Sequence, residues 1–298
     1  MQSGDVVSSN AAASHLDPAG PASGLTATVA GSGPTVVMVH GMLGDYRQWT
    51  TIGDRLRGAH TAIAISRRYH WPNPLPAADA RYTYEAQRDD LVNYLRGRGE
   101  AVHLVGHSYG AGVSLLAALQ APHLVRTLTL IEPAFNSLLP DTSPGLAEET
   151  AGRLVMVTQV KSLTAAGEHD DAARALIDWT QGGAGGFSRL SGDAQAALLD
   201  NAASLGPTVA HPAPHVSPAD VRTLGIPALV VTGARTRLYY RLIAGTVAVS
   251  LPDARAAQVA DAGHMSIVEQ PARVADLILA FVGEKQLQPR KDDTKNRT

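Results

Sequence analysis

The chain has 298 residues, 45% of them apolar and 17% charged, an ordinary globular composition with enough apolar surface to bury a sizeable core. Its 25 basic and 27 acidic residues leave a net charge of −2, so no basic excess points to nucleic acid or to an anionic membrane. There is no cysteine, which excludes disulfides, thiolate catalysis and cysteine-ligated metal and fits a reducing, cytoplasmic setting.

Residues 1–24 are polar and rich in Ser, Ala, Gly and Pro. They lack the positive start and apolar run of a signal peptide and read as a flexible leader. No stretch approaches the roughly 20 apolar residues that span a bilayer. From Thr35 the chain alternates. Thr35 to His40 reads as a buried strand, Tyr46 to Arg57 as a helix and Thr61 to Ser66 as a strand. Tyr84 to Arg98 reads as an amphipathic helix, Ala101 to Gly106 as a strand, Tyr109 to Ala121 as a small-residue helix and Thr127 to Ile131 as a strand. Strands that are apolar throughout are covered on both faces, as in a parallel sheet. Strand–helix alternation indicates right-handed βαβ units.

The rhythm breaks from about Phe135 to Leu224, where helical stretches (Leu146 to Val160, Asp170 to Trp179, Asp193 to Ser204) are punctuated by Gly and Pro. It resumes with a strand at Ala228 to Thr232, a helix near Tyr240 to Ser250, a short strand at Ala256 to Val259 and a closing helix from Pro271 to Val282. The expectation is one α/β core, residues 25–134 and 225–283, with a helical lid inserted at 135–224. The strands after Gly225 are too few for a sheet of their own. Residues 284–298 read as a flexible tail.

Gly106-His107-Ser108-Tyr109-Gly110 has the Gly-x-Ser-x-Gly pattern. It lies directly between a strand and a helix, the setting of a nucleophile elbow. A serine on such a turn projects its hydroxyl above the sheet. The flanking glycines leave room for the close approach of strand and helix, and the helix N-terminus behind Ser108 favours a developing oxyanion. A base must follow later in the chain. Of 11 histidines, His264 stands out, in a loop after the last strand and before the last helix.

With these residues the chain resembles the α/β-hydrolase family over about Leu25 to Val282. The matching segments are His40-Gly41-Met42-Leu43-Gly44, the Gly106 to Gly110 elbow, Ala262-Gly263-His264 and Gln270-Pro271. The resemblance implies a mostly parallel sheet flanked by helices, and an oxyanion hole from the backbone N–H groups of Met42 and Tyr109. In most relatives the triad acid follows the strand after the lid, three residues beyond a Gly; here Thr236 stands there. A second family arrangement puts the acid at the end of the strand before the lid, which is Glu132. Asp261, three residues before His264, is the rival.

His40, Tyr69, His70, Trp71 and Met265 are candidates to line the substrate cleft, while Trp49 is assigned to the core. Arg67 and Arg68 are read equally as solvent-paired or substrate-contacting. Nothing resembles a metal cluster, a phosphate loop or a dinucleotide fingerprint, so no cofactor is expected. The expected partner is a partly apolar small molecule, with no nucleic acid or membrane, and the protein is expected as a monomer or homodimer. A serine at the elbow argues against the epoxide hydrolases and haloalkane dehalogenases, which carry Asp there. The expected activity is hydrolysis of an ester, lactone or thioester. Carbon–carbon bond hydrolysis and non-hydrolytic work on the same scaffold (cofactor-free oxygenation, lyase chemistry, cyclisation) are the alternatives.

Overall fold

Successive residues of the strand Thr35–Val39 are all buried, but they bury into different layers: Val37 and Val39 enter one apolar cluster, Val36 and Met38 another. A strand apolar on both faces needs a cover on each side, and the fold supplies one. The computed structural model describes residues 15–17, 25–75 and 82–286. Its eight strands are β1 (His15–Leu16), β2 (Thr26–Ala30), β3 (Thr35–Val39), β4 (Thr61–Ser66), β5 (Val102–His107), β6 (Val125–Ile131), β7 (Ala228–Gly233) and β8 (Ala254–Val259). They form one sheet in the order β1-β2-β4-β3-β5-β6-β7-β8. Strands β1 and β2 run antiparallel to their neighbours; β3 to β8 are parallel. This is the α/β-hydrolase fold that the sequence implied.

One face is covered by helices α1 (Thr50–Leu56) and α11 (Pro271–Gln286), which contribute Ile52, Leu56, Val274 and Ile278. The other is covered by α2 (Tyr84–Arg96), α3 (Tyr109–Gln120) and α9 (Leu238–Ser250), with Leu91, Leu95, Val113, Ile243 and Val247. Each such side chain taken fully out of water contributes about 1.5–3 kcal/mol. Between β6 and β7 lie α4 (Leu146–Ala165), α5 (His169–Thr180), α6 (Gly192–Asp200), α7 (Leu205–Ala210) and α8 (Pro218–Arg222). Helices α4 to α7 build a third cluster around Met156, Val160, Leu176, Phe187, Leu198 and Leu205. Leu43 and Met265 join it from the loops after β3 and β8. The inserted helices are therefore seated on the carboxyl ends of the parallel strands.

Several boundaries differ from expectation. Strand β2 is a five-residue, half-buried strand of Thr, Ala and Val near the sheet edge, too weak a pattern to stand out. Strand β1 falls within the expected leader; it is pinned because Asp17 accepts hydrogen bonds from Tyr94 Oη and from Arg98 Nη1. The remainder of 1–24 and residues 287–298 lie outside the described residues. The expected Tyr46 to Arg57 helix is split into a 3-10 turn, Tyr46–Trp49, and α1, because Asp45 caps the turn by accepting from Arg47 N at 2.8 Å. The expected Asp193 to Ser204 helix is likewise split, into α6 and a 3-10 turn at Ala202–Ser204. Among the described residues no helix is long and apolar enough to cross a membrane.

Candidate active site

Ser108 links β5 to α3 with φ 53° and ψ −117°, a conformation that side chains rarely adopt and that is held at a cost of order 1–3 kcal/mol by its surroundings. The surroundings are the two glycines. A Cβ on Gly106 would stand 2.6 Å from Gly110 O, and one on Gly110 would stand 2.3 Å from His40 O. The turn is thus packed against β3's exit loop, with no space for any larger residue. Ser108 N donates to Ile131 O at 2.9 Å, tying the elbow to the end of β6.

The loop between β8 and α10 (Ser266–Glu269) carries His264. Its Nε2 lies 2.9 Å from Ser108 Oγ, and its Nδ1 lies 3.2 Å from Glu132 Oε2. Glu132 ends β6 at φ 51° and is fully buried. Its carboxylate also accepts from Gly233 N at 2.5 Å and from Thr236 Oγ1 at 2.6 Å. A carboxylate accepts and does not donate, so the Nδ1 of His264 carries the proton toward it and Nε2 is left to accept from the Ser108 hydroxyl. Packing holds the ring, and hydrogen bonds hold the backbone that carries it. Tyr240 stacks on it at 3.8 Å between centroids, His107 Nε2 lies 2.9 Å from His264 O, and Gly263 N donates to Glu269 Oε2 at 2.7 Å. Burial holds His107 well below its ordinary range, at about 3, so its ring is neutral and donates to that carbonyl. The rival acid, Asp261, is exposed and only its backbone oxygen is engaged, by Arg235.

Met42 and Tyr109 both face the cavity above Ser108. Tyr109 opens α3, so its N–H has no partner within the helix. The Met42 loop is fixed from beneath. His40 Nδ1 donates to Gly41 O at 2.8 Å, and its Nε2 accepts from Arg67 N at 2.9 Å. Burial first, and the Arg67 charge second, push His40 well below its ordinary range, consistent with this neutral form. Buried Arg67 donates to His40 O at 3.2 Å, to Gly41 O at 2.7 Å and to Gln87 Oε1, and Gln87 in turn donates to Tyr109 Oη at 3.0 Å. His70 Nε2 approaches Met42 O at 2.7 Å.

The cavity holds about 430 Å³ and is walled largely by apolar side chains, with Ser108, His264 and Met265 among the lining residues. Four candidates for its wall are placed elsewhere. His40 and His70 are buried beneath the Met42 loop, and Tyr69 stacks on Tyr82. Trp71 packs between Tyr46 and the Arg47 guanidinium. Arg67 is buried in the loop network rather than facing solvent or ligand, and Arg68 pairs with Asp90 at 2.5 Å. Sequence reasoning missed Tyr240, Thr236's bond to Glu132 and the cavity cation Arg153. No local pattern marks them, since each meets the site only through tertiary packing. Among the described residues no group of three or more His, Asp or Glu side chains could hold a metal ion.

The fold and this elbow define an α/β hydrolase. Residues 36–277 match the Alpha/beta hydrolase family, and the chain belongs to that family. It is 35% identical over 104 residues to the 2-(acetamidomethylene)succinate hydrolase of Mesorhizobium japonicum, covering 34% of this chain and 36% of that protein. The chain spans only about a third of the length of the curated relatives it matches. Among solved structures, MenH from S. aureus superposes with a TM-score of 0.68 at 18% identity, covering 85% of this chain and 94% of that one. A carboxylesterase from Bacillus subtilis superposes with a TM-score of 0.66 at 18% identity, covering 87% of each chain. At such identities the likeness is one of fold.

Proposed function

We propose that this protein is a serine hydrolase that cleaves a carboxylic ester, lactone or thioester through Ser108, His264 and Glu132. One observation carries the reading: the Ser108 hydroxyl, on its positive-φ turn, lies 2.9 Å from a His264 nitrogen whose other nitrogen faces a buried carboxylate. His264 takes the Ser108 proton as Oγ attacks the carbonyl carbon. The N–H groups of Met42 and Tyr109 hold the resulting oxyanion. His264 returns the proton to the departing alcohol or thiol and an acyl-enzyme remains. Water, giving its proton to His264, then attacks the acyl carbon. The acid departs as Ser108 regains its proton. Glu132 keeps the imidazole in the right tautomer and stabilises the imidazolium without being protonated. Residues 135–224 act as the lid that shapes the substrate cavity. The hydrolase name of the Mesorhizobium relative agrees with this reading.

The test is hydrolysis of a chain-length series of p-nitrophenyl esters by wild type and by Ser108→Ala. Turnover that disappears with the hydroxyl supports the acyl-enzyme route. Ester turnover that survives in Ser108→Ala sinks it, because hydrolysis then proceeds without an acyl-serine.

A further inference from the structure

The wall of the cavity above Ser108 contains two cationic side chains, Arg153 and Lys161, and neither Asp nor Glu. Both cations belong to α4. Arg153 has a carboxylate one helical turn earlier, Glu149, at the spacing where an intrahelical ion pair forms. Glu149 instead pairs with Arg237 at 2.9 Å, and among the described residues no carboxylate lies within ion-pair distance of Arg153. Its guanidinium stands over the Tyr239 ring, 5.3 Å from the centroid. With the Asn136 amide turned so that both its ends are satisfied, its oxygen accepts from Arg153 Nη1 at 3.3 Å and Nη2 at 3.0 Å, and its nitrogen donates to the Tyr239 oxygen. That orientation leaves the Tyr239 hydroxyl proton with no acceptor among the described residues. Tyr239 meets Tyr240 at 5.0 Å, and Tyr240 stacks on His264. The unpaired cation and the free hydroxyl donor thus sit two rings away from the imidazole, on the same wall. The same cavity wall also carries the apolar side chains of Met42, Leu43, Met156 and Val157.

We propose that Arg153, with Tyr239 beside it, is a carboxylate subsite, and that the substrate opened at Ser108 carries a free carboxylate separated from the scissile bond by a short apolar stretch. This rests on the hydrolase reading above. A charged guanidinium half-withdrawn from water without a counterion is poised to gain an anion. Its planar fork matches the two oxygens of a carboxylate. A phosphate dianion calls for more converging positive charge than one guanidinium; Lys161 is exposed at the rim.

The experiment is calorimetric titration of Ser108→Ala protein with monomethyl glutarate, with neutral dimethyl glutarate and with methyl phosphate. The titrations are repeated on Ser108→Ala/Arg153→Gln and Ser108→Ala/Arg153→Lys. Fluorophosphonate labelling of Ser108 in wild type is read separately. The hemiester is expected to bind about tenfold or more tightly than the diester. Arg153→Gln should abolish that preference while leaving the diester unchanged, and Arg153→Lys should restore part of it. Equal binding of the two esters, no hemiester binding at millimolar concentration, a preference that survives Arg153→Gln, or tighter binding of methyl phosphate each overturns the carboxylate subsite. Labelling without a preference leaves the hydrolase standing and removes the subsite. A preference without labelling keeps the subsite and removes the serine nucleophile.

Discussion

The Thr236 hydroxyl donates to Glu132 Oε2 at 2.6 Å, from the loop after β7 to the end of β6. Thr236 stands where the resemblance would put the acid, and here it hydrogen-bonds Glu132, the acid proposed above. Gly233 N supplies a second donor from the same loop. The loop supplies donors to a carboxylate rather than a carboxylate of its own.

This relationship sets an order of damage. Glu132→Gln should lower kcat about 10²–10⁴-fold, because the amide cannot hold the productive tautomer or balance the imidazolium. Thr236→Val removes one of three donors and should cost about tenfold in kcat and about 1–2 kcal/mol of stability. Asp261→Asn should change neither. Steady-state kinetics and denaturant melts on the three variants check this. If Asp261→Asn does the damage and Glu132→Gln does not, the acid is misassigned.

Gly110→Ala should be among the most destabilising single-methyl changes available. The added carbon would meet His40 O at 2.3 Å and Val39 O at 2.4 Å, both backbone atoms that cannot swing aside. The expected loss is on the order of 3 kcal/mol, read as a lower melting temperature. By contrast Gly245→Ala on α9, where a Cβ meets nothing within 4 Å, should stabilise slightly by favouring helix. Equal melting temperatures for the two variants would contradict the packing argument.

Much of this architecture was legible in the sequence for a physical reason. Strands β3, β4 and β5 are buried almost throughout, so their sequences are mostly apolar, and the elbow's glycines are dictated by contacts on both sides. The expectation that Glu132 would need a partner also followed from its position, since a carboxylate at the end of an apolar strand must be hydrogen-bonded. The placement of His40, His70 and Arg67 was not legible. A polar residue in a loop looks the same in sequence whether it faces ligand or lies beneath the loop. Only the tertiary packing turned these three inward, onto the carbonyls of His40, Gly41 and Met42. Arg153 was hidden for a related reason: its freedom depends on Glu149 choosing Arg237, a contact between distant segments.

Acid should destabilise the fold through buried histidines. Burial first lowers His70 and His107 to about 3 and His103 to about 4, and pushes His40 well down too. Each is neutral when folded and takes up a proton near 6.5 when unfolded. The folded pKa is the depressed one, so their contribution is fully present above about 6.5 and is lost progressively as pH falls from there toward 3–4. Unfolding at pH 5 should therefore bind about four protons through these groups, measured from calorimetric heats in buffers of different ionisation enthalpy. Uptake of one proton or fewer would mean that these side chains are charged or solvated in the fold.

Arg67 gives the sharpest separation between holding the Met42 loop, proposed above to bind the oxyanion, and touching substrate. Its guanidinium donates to His40 O, Gly41 O and Gln87, yet it is not part of the cavity wall. Arg67→Met keeps much of the volume but strands those acceptors in a buried site, at a cost of about 3 kcal/mol. With its supports gone, the Met42 N–H shifts relative to the elbow. Oxyanion donors act only within a few tenths of an ångström, so kcat should fall about 10–100-fold. The ground-state ester does not use that bond in the same way, so KM should change little. Ser108 and its hydrogen bond to His264 are untouched, so fluorophosphonate labelling should persist at a reduced rate. A rise in KM at constant kcat would instead place Arg67 in contact with substrate. No change in kcat, in protein shown to be folded, would mean that the Met42 loop holds its place without it.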